Sequence, residues 1–260
     1  MWAGRLLAIG GAAGPSVLGR FVAQAGRSIV VIATAATDPD AAEAEYADTF
    51  ARLGAGDVRA LRLTTRAQAN DPAVEAALTE ATGVFFTGGD QLRITSVLGG
   101  TRTDSVLQDL VASGRVMLAG TSAGAAMMSG TMIVGGDGHT VSTGPGLEFL
   151  PGVLIDMHFA ERGRLHRLLA AVARYPHELG LGIDEDTAIL TGGDRFEVLG
   201  SGSVTVVDAG AATDIRVAAD DSIAIIGVRV HVLPAGCTFE LSGRRPSIID
   251  PAAEVGGRAA

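Results

Sequence analysis

Apolar residues in the first half of the chain are gathered into short runs at 5–9, 28–33, 58–63, 84–86 and 116–119. Runs of this length, rich in Val, Ile and Leu with little strict alternation, predict parallel strands covered on both faces. Between them the spacing changes to threes and fours. Val17, Leu18, Phe21 and Val22 predict a helix over 16–24, and Tyr46 and Phe50 fall in one over 41–53. Further helices are predicted over 72–82, 92–98 and 104–113. Alternating strands and helices predict an α/β fold with a doubly wound, mostly parallel sheet. In such sheets ligands bind past the carboxyl ends of the strands.

After residue 130 the pattern changes. Residues 131–151 are Gly-rich and read as loop, 162–175 as a helix with Leu165, Leu168, Leu169 and Val172 on one side, and 182–190 as one strand. From 195 to 245 short Val/Ile-rich runs divided by turns predict β-hairpins that finish one edge of the sheet. No Pro/Ser-rich linker precedes this β-rich portion, so 1–260 reads as a single domain with a frayed tail at 250–260.

Composition narrows the function. A net charge of −9 excludes the basic field that nucleic acid requires. All 20 cationic side chains are arginine. No apolar run approaches the roughly 20 residues of a membrane span, and the N-terminus lacks a signal-peptide pattern, so a cytoplasmic protein is expected. The single cysteine, Cys237, cannot form an internal disulfide, and no Cys/His spacing fits a metal site. No metal and no cofactor are expected.

The strongest chemical signal is Gly120-Thr121-Ser122-Ala123-Gly124, between the apolar run 116–119 and the start of a helix. This is a nucleophile-elbow pattern, in which a strained turn between strand and helix holds a serine out at its tip. The amide of Ala123 then points at the place where an oxyanion would form. A serine needs a base at neutral pH, and the base needs an acid to hold its tautomer. Among histidines 139, 158, 166, 177 and 231, His158 ends the apolar run Leu154-Ile155-Asp156-Met157, on the edge where active sites form. His139 lies in a Gly/Asp loop, His166 among helix-surface charges, His177 in a turn, and His231 alternates along a strand. For the acid, Asp184-Glu185-Asp186 offers three carboxylates in a row, and spacing does not choose among them. In an extended chain Asp184 and Asp186 would share one face.

Four motifs in order carry a resemblance: Phe85-Phe86-Thr87-Gly88-Gly89-Asp90-Gln91-Leu92, the serine elbow through Ala126, Asp156-Met157-His158-Phe159 with Arg162-Gly163-Arg164-Leu165, and Gly182-Ile183-Asp184-Glu185-Asp186-Thr187-Ala188. Together they resemble cyanophycinase, a family of serine exopeptidases related to aspartyl dipeptidase, with a class I glutamine-amidotransferase-like sheet. The resemblance implies Ser122 as nucleophile, His158 as base and Glu185 as its acid. With the elbow chemistry it points to amides of Ala123 and of Gly88 or Gly89 as oxyanion donors. It also implies a substrate site drawn from Asp90, Gln91, Asp156, Met157, Arg162, Arg164 and Arg167. Asp90 has a second reading as the cap of the helix after it. The implied substrate is a β-aspartyl peptide, cyanophycin, whose poly-aspartate backbone carries arginine on each side-chain carboxyl, and the implied assembly is a homodimer. Arginine forks suit its carboxylates and a carboxylate suits its guanidinium. Two departures stand out: Met157 where the family has Gln, expected to remove an amide from the substrate pocket, and Ala13-Gly14-Pro15 where it has Glu-Asp-Lys. The alternatives are a related amidase acting on another aspartyl or acyl amide, and a non-catalytic binding module.

Overall fold

The computed structural model describes residues 4–136, 140–218 and 222–249. Successive side chains of a strand leave on opposite faces. Arg5–Ile9 (β1) accordingly sends Leu6 and Ala8 into one core and Leu7 and Ile9 into another. The following elements are Pro15–Ala25 (α1), Ser28–Ile32 (β2), Pro39–Arg52 (α2), Asp57–Ala60 (β3), Arg66–Ala69 (α3), Pro72–Glu80 (α4) and Gly83–Phe86 (β4). Gln91–Leu98 (α5), Arg102–Ala112 (α6), Met117–Thr121 (β5) and Ala123–Ala126 (α7) complete the first half. Proline stands in the first turn of α1, α2 and α4, where its missing N–H costs nothing. On the face covered by α1 and α2, the rings of Phe21, Phe50 and Phe85 lie 5.0 to 5.6 Å apart. Tyr46 packs on Phe85, and burial pushes its hydroxyl up to about 12.

The second half supplies Thr131–Gly135 (β6), Ser142–Pro145 (β7), Val153–Met157 (β8), Leu165–Arg174 (α8), Leu179–Ile183 (β9), Thr187–Gly192 (β10), Arg195–Gly200 (β11) and Ser203–Asp208 (β12). Asp214–Val217 (β13), Ile223–Ile226 (β14), Arg229–Pro234 (β15), Cys237–Glu240 (β16) and Arg245–Ile248 (β17) follow. Nine strands form the central sheet in the order β17-β16-β11-β10-β1-β5-β4-β2-β3. From β1 to β3 the pairing is parallel, and from β1 to β17 it is antiparallel. The fold is therefore mixed α/β, with the expected parallel strands at its centre.

Three expectations need correction. Residues 182–190 are not one strand: β9 and β10 belong to different sheets, and the chain turns at Asp184-Glu185-Asp186, with Asp186 at φ 48°. The 131–151 stretch is not simply loop, because β6 and β7 pair as a hairpin with an irregularity between Ile133 and Gly135. The helix expected over 162–175 begins only at Leu165, since Gly163 takes φ 57° and residues 160–164 close as turns on Phe159 and Ala160. Its buried face is Arg167, Leu168 and Ala170 to Ala173, while Leu165 is exposed.

The β-rich portion also divides. β11, β16 and β17 extend the central sheet as expected, whereas β12 and β15 join β9 and β8 in a second, four-stranded sheet, β15-β12-β9-β8. His139 and the tail at 250–260 lie outside the described residues. Among the described residues, no helix is long and apolar enough to cross a membrane.

Candidate active site

β5 runs into the elbow between β1 and β4, among the parallel strands. Ser122 adopts φ 52° and ψ −108°, a conformation that costs about 1–3 kcal/mol for a residue with a Cβ and survives only where surroundings impose it. The two glycines of the motif supply that room. A Cβ on Gly120 would overlap the Gly124 carbonyl, and one on Gly124 would lie 2.5 Å from the Phe86 carbonyl oxygen. The start of α7 leaves the amides of its first residues outside the helix's own bonding, and Ala123, fully buried, is the first of them.

His158 and Glu185 come from the other sheet. β8 and β9 are parallel with Met157 opposite Ile183, so the residues that follow each strand emerge side by side. His158 itself sits at φ 48°. The Ser122 hydroxyl lies 2.9 Å from His158 Nε2, and His158 Nδ1 lies 2.6 Å from Glu185 Oε1. An ionised carboxylate only accepts, so Nδ1 carries the proton and Nε2 is left to accept from the serine. This is the arrangement a hydroxyl needs in order to pass its proton to a base as it attacks a carbonyl.

The three segments are gathered by the glycine turn after β1. Ile9 O accepts from Ser122 N at 2.9 Å, Gly10 O from His158 N at 2.8 Å, and Gly11 O from Asp186 N at 2.9 Å. In the sequence this turn reads as the link between a strand and a helix, not as part of the site. Its signal was Gly10-Gly11 directly behind a buried strand. The two aspartates flanking Glu185 have separate duties: Asp184 accepts from Ala160 N and from Ser203 N and Oγ, and Asp186 from Gly14 N and Ser201 Oγ. The expected common face for Asp184 and Asp186 does not exist, because the segment is turned rather than extended. Glu161, also unanticipated, accepts from Glu185 N at 3.2 Å.

The remaining candidates divide. Gly88 lies beside the serine: a Cβ built on it would be 3.5 Å from Ser122 Cβ. Gly89, at φ 139°, packs against the Ala35 backbone instead. Asp90 caps α5, accepting from Leu92 N at 2.9 Å, which favours its capping reading. Gln91 donates its amide to Ile133 O at 3.0 Å.

Asp156 is fully buried, accepting from Arg167 Nε at 2.9 Å and Nη2, and from Arg164 at 3.2 Å. Its carboxylate is thus engaged with arginines inside the protein, not open to solvent. Arg167 is buried with it, and burial holds the Arg164 guanidinium below its ordinary value. Arg162 is exposed, its backbone N–H donating to His158 O. Met157 is 5% exposed and packs in the main core, so its side chain does not face an open pocket as expected.

Comparison with known proteins agrees with the α/β fold and with a peptidase. The model of peptidase family S51 matches residues 6–199. The chain belongs to peptidase family S51. This S51 peptidase is 40% identical over 256 residues to the cyanophycinase of Nostoc sp., covering 92% of this chain and 86% of that one. The cyanophycinase of Geminocystis herdmanii is 36% identical, with 93% and 95% covered. Among solved structures, a peptidase from an acI-B1 Actinobacterium superposes with a TM-score of 0.67 at 21% identity, covering 92% of this chain and 97% of that one. A putative peptidase E protein from Listeria monocytogenes gives 0.58 at 16% identity, covering 77% and 100%. At those identities the two structures bear on the fold alone.

Proposed function

We propose that this S51 peptidase is a cyanophycinase, a serine hydrolase that cleaves the β-aspartyl-arginine polymer to β-Asp-Arg dipeptides. The observation that carries the reading is the relay from Ser122 through His158 to Glu185, at 2.9 and 2.6 Å, in a chain 36–40% identical to cyanophycinases. Ser122 Oγ adds to the scissile carbonyl carbon while its proton passes to His158 Nε2. The Ala123 amide, with that of neighbouring Gly88, holds the oxyanion. The C–N bond then breaks as His158 returns the proton to the leaving amine, and water releases the acyl group by the same two steps in reverse. Glu185 stabilises the imidazolium formed on the way.

Arg162, exposed one turn after His158, is the arginine best placed to meet a free substrate carboxylate. Arg164 and Arg167 serve through Asp156, as the braced wall behind it. On the resemblance, residues 1–260 act as one catalytic domain with a glutamine-amidotransferase-like sheet, in a cytoplasmic homodimer without a cofactor. Purified protein incubated with the polymer should release β-Asp-Arg, read by mass spectrometry, and Ser122→Ala should slow release by at least about 10³-fold. Release by the variant at the parent rate would overturn the proposal.

A further inference from the structure

We infer that Asp186 is a positioning residue for His158, acting through the glycine turn of residues 10–14. This rests on the relay proposed above. The imidazole lies directly against Gly11: a Cβ placed there would be 2.6 Å from Nδ1 and 3.0 Å from Nε2. Whatever fixes Gly11 therefore fixes the ring edge that carries both relay nitrogens.

Asp186 holds that turn at two points. Its backbone N–H donates to Gly11 O at 2.9 Å, and its Oδ1 accepts from Gly14 N at 2.7 Å. Its Oδ2 accepts from Ser201 Oγ at 2.9 Å, which ties the carboxylate to the turn between β11 and β12. Helix α1 begins at this point with no acidic residue in its first turn and no side-chain cap, so Asp186 supplies the negative charge that its N-terminus lacks.

The backbone argues that the side chain is the reason for the residue. At φ 48° a glycine would be less strained than an aspartate. An aspartate there gives up conformational ease for two acceptor oxygens. The Asp184 carboxylate, by contrast, binds Ala160 and Ser203, and it is only the backbone carbonyl of Asp184 that lies against Gly10. The two flanking carboxylates thus serve different partners, and of the two it is that of Asp186 that holds the turn lying against the imidazole.

Three variants test the inference: Asp186→Ala, Asp186→Gly and Asp186→Asn. Asp186→Gly relieves the positive φ and keeps a folded protein in hand if Asp186→Ala is unstable. The Ala and Gly variants should lower kcat by about 10- to 100-fold with KM within about twofold, because a displacement near 1 Å is enough for such a loss. The rate of Ser122 phosphonylation by a fluorophosphonate, per folded molecule, should fall by the same factor. Asp186→Asn keeps an oxygen for Gly14 N and an N–H for Ser201 Oγ, and should restore both rates to within about threefold. Folded Ala and Gly variants that label at the parent rate, with only a lower melting midpoint, would overturn the inference. So would an Asn variant as slow as the Ala one. Phosphonylation needs no polymer, so a parent that labels but leaves cyanophycin intact refutes the substrate reading and not this one.

Discussion

Gly11→Ala is the sharpest single perturbation of the proposed relay. The introduced Cβ would fall 2.6 Å from His158 Nδ1 and closer still to Cε1, against an ordinary contact distance of about 3.5–4.0 Å. The imidazole must therefore retreat by roughly 1 Å or the turn must open by as much. Retreat along the line to Ser122 Oγ lengthens the 2.9 Å contact to nearly 4 Å, beyond hydrogen-bond range, and retreat across that line spoils its alignment. The turn is pinned by Ile9, Gly10 and Gly11 carbonyls to all three relay segments, so opening it disturbs the same geometry. Lost alignment of the base should cost about 10²- to 10⁴-fold in kcat/KM. Alanine at φ 138° adds roughly 1–3 kcal/mol of strain, which a second variant isolates. Gly54 also has positive φ, at 94°, but a Cβ there meets nothing within 4 Å, so Gly54→Ala should lower stability and leave the rate alone. The assay is dipeptide release together with phosphonylation per folded molecule, with circular dichroism fixing the folded fraction. A Gly11→Ala protein that is folded and labels as fast as Gly54→Ala would refute the claim that the turn sets the imidazole.

Two further outcomes bear on the frame around the site. Asp156→Ala leaves the buried Arg167 guanidinium without its counter-charge and should destabilise the fold by about 3–5 kcal/mol in denaturant titration; a loss under about 1 kcal/mol would show that the pair is not desolvated. Glu178 is 7% exposed with Oε2 unpartnered, and burial, with Glu148 adding to it, raises its carboxyl above the ordinary 4.5, against the opposing bond from Thr131 and the charge of His177. The native state then holds this proton more tightly than the unfolded chain, so its contribution to stability falls as pH climbs from about 4.5 through the native value. Glu178→Gln, which keeps an acceptor for Thr131, should melt above the parent at pH 7–8 and lose that advantage below about pH 4.5; a difference independent of pH would refute the assignment.

What the chain announces on its own is what depends on neighbours in sequence. Four of the five parallel strands are legible because a strand buried on both faces must be apolar at nearly every position, whereas β3, at the edge, is largely exposed; α1 and α2 are legible because one stripe of each meets the sheet. The elbow is legible for a similar reason: Gly120 and Gly124 make room within five residues of each other. The carboxylates are where local reading stops. Asp184, Glu185 and Asp186 look alike in a row, yet their partners lie at Ala160 and Ser203, at His158, and at Gly14 and Ser201.

Reading 182–190 as one strand failed for the same cause. Apolar residues on both sides suggested continuity, while the break is imposed by partners from 15 to 172 residues away. Arg167 shows the converse. The resemblance offered it, with Arg162 and Arg164, as a fork for substrate, but a buried Asp156 opposite makes an interior position tolerable for the guanidinium. A charged residue takes its meaning from the group that satisfies it, and for Asp156, Asp184 and Asp186 that group lies on another element or turn. The serine could be found from five residues. The geometry that would make it a nucleophile had to wait until β8 and β9 were seen to end beside each other, with a glycine turn from the start of the chain laid against the imidazole between them.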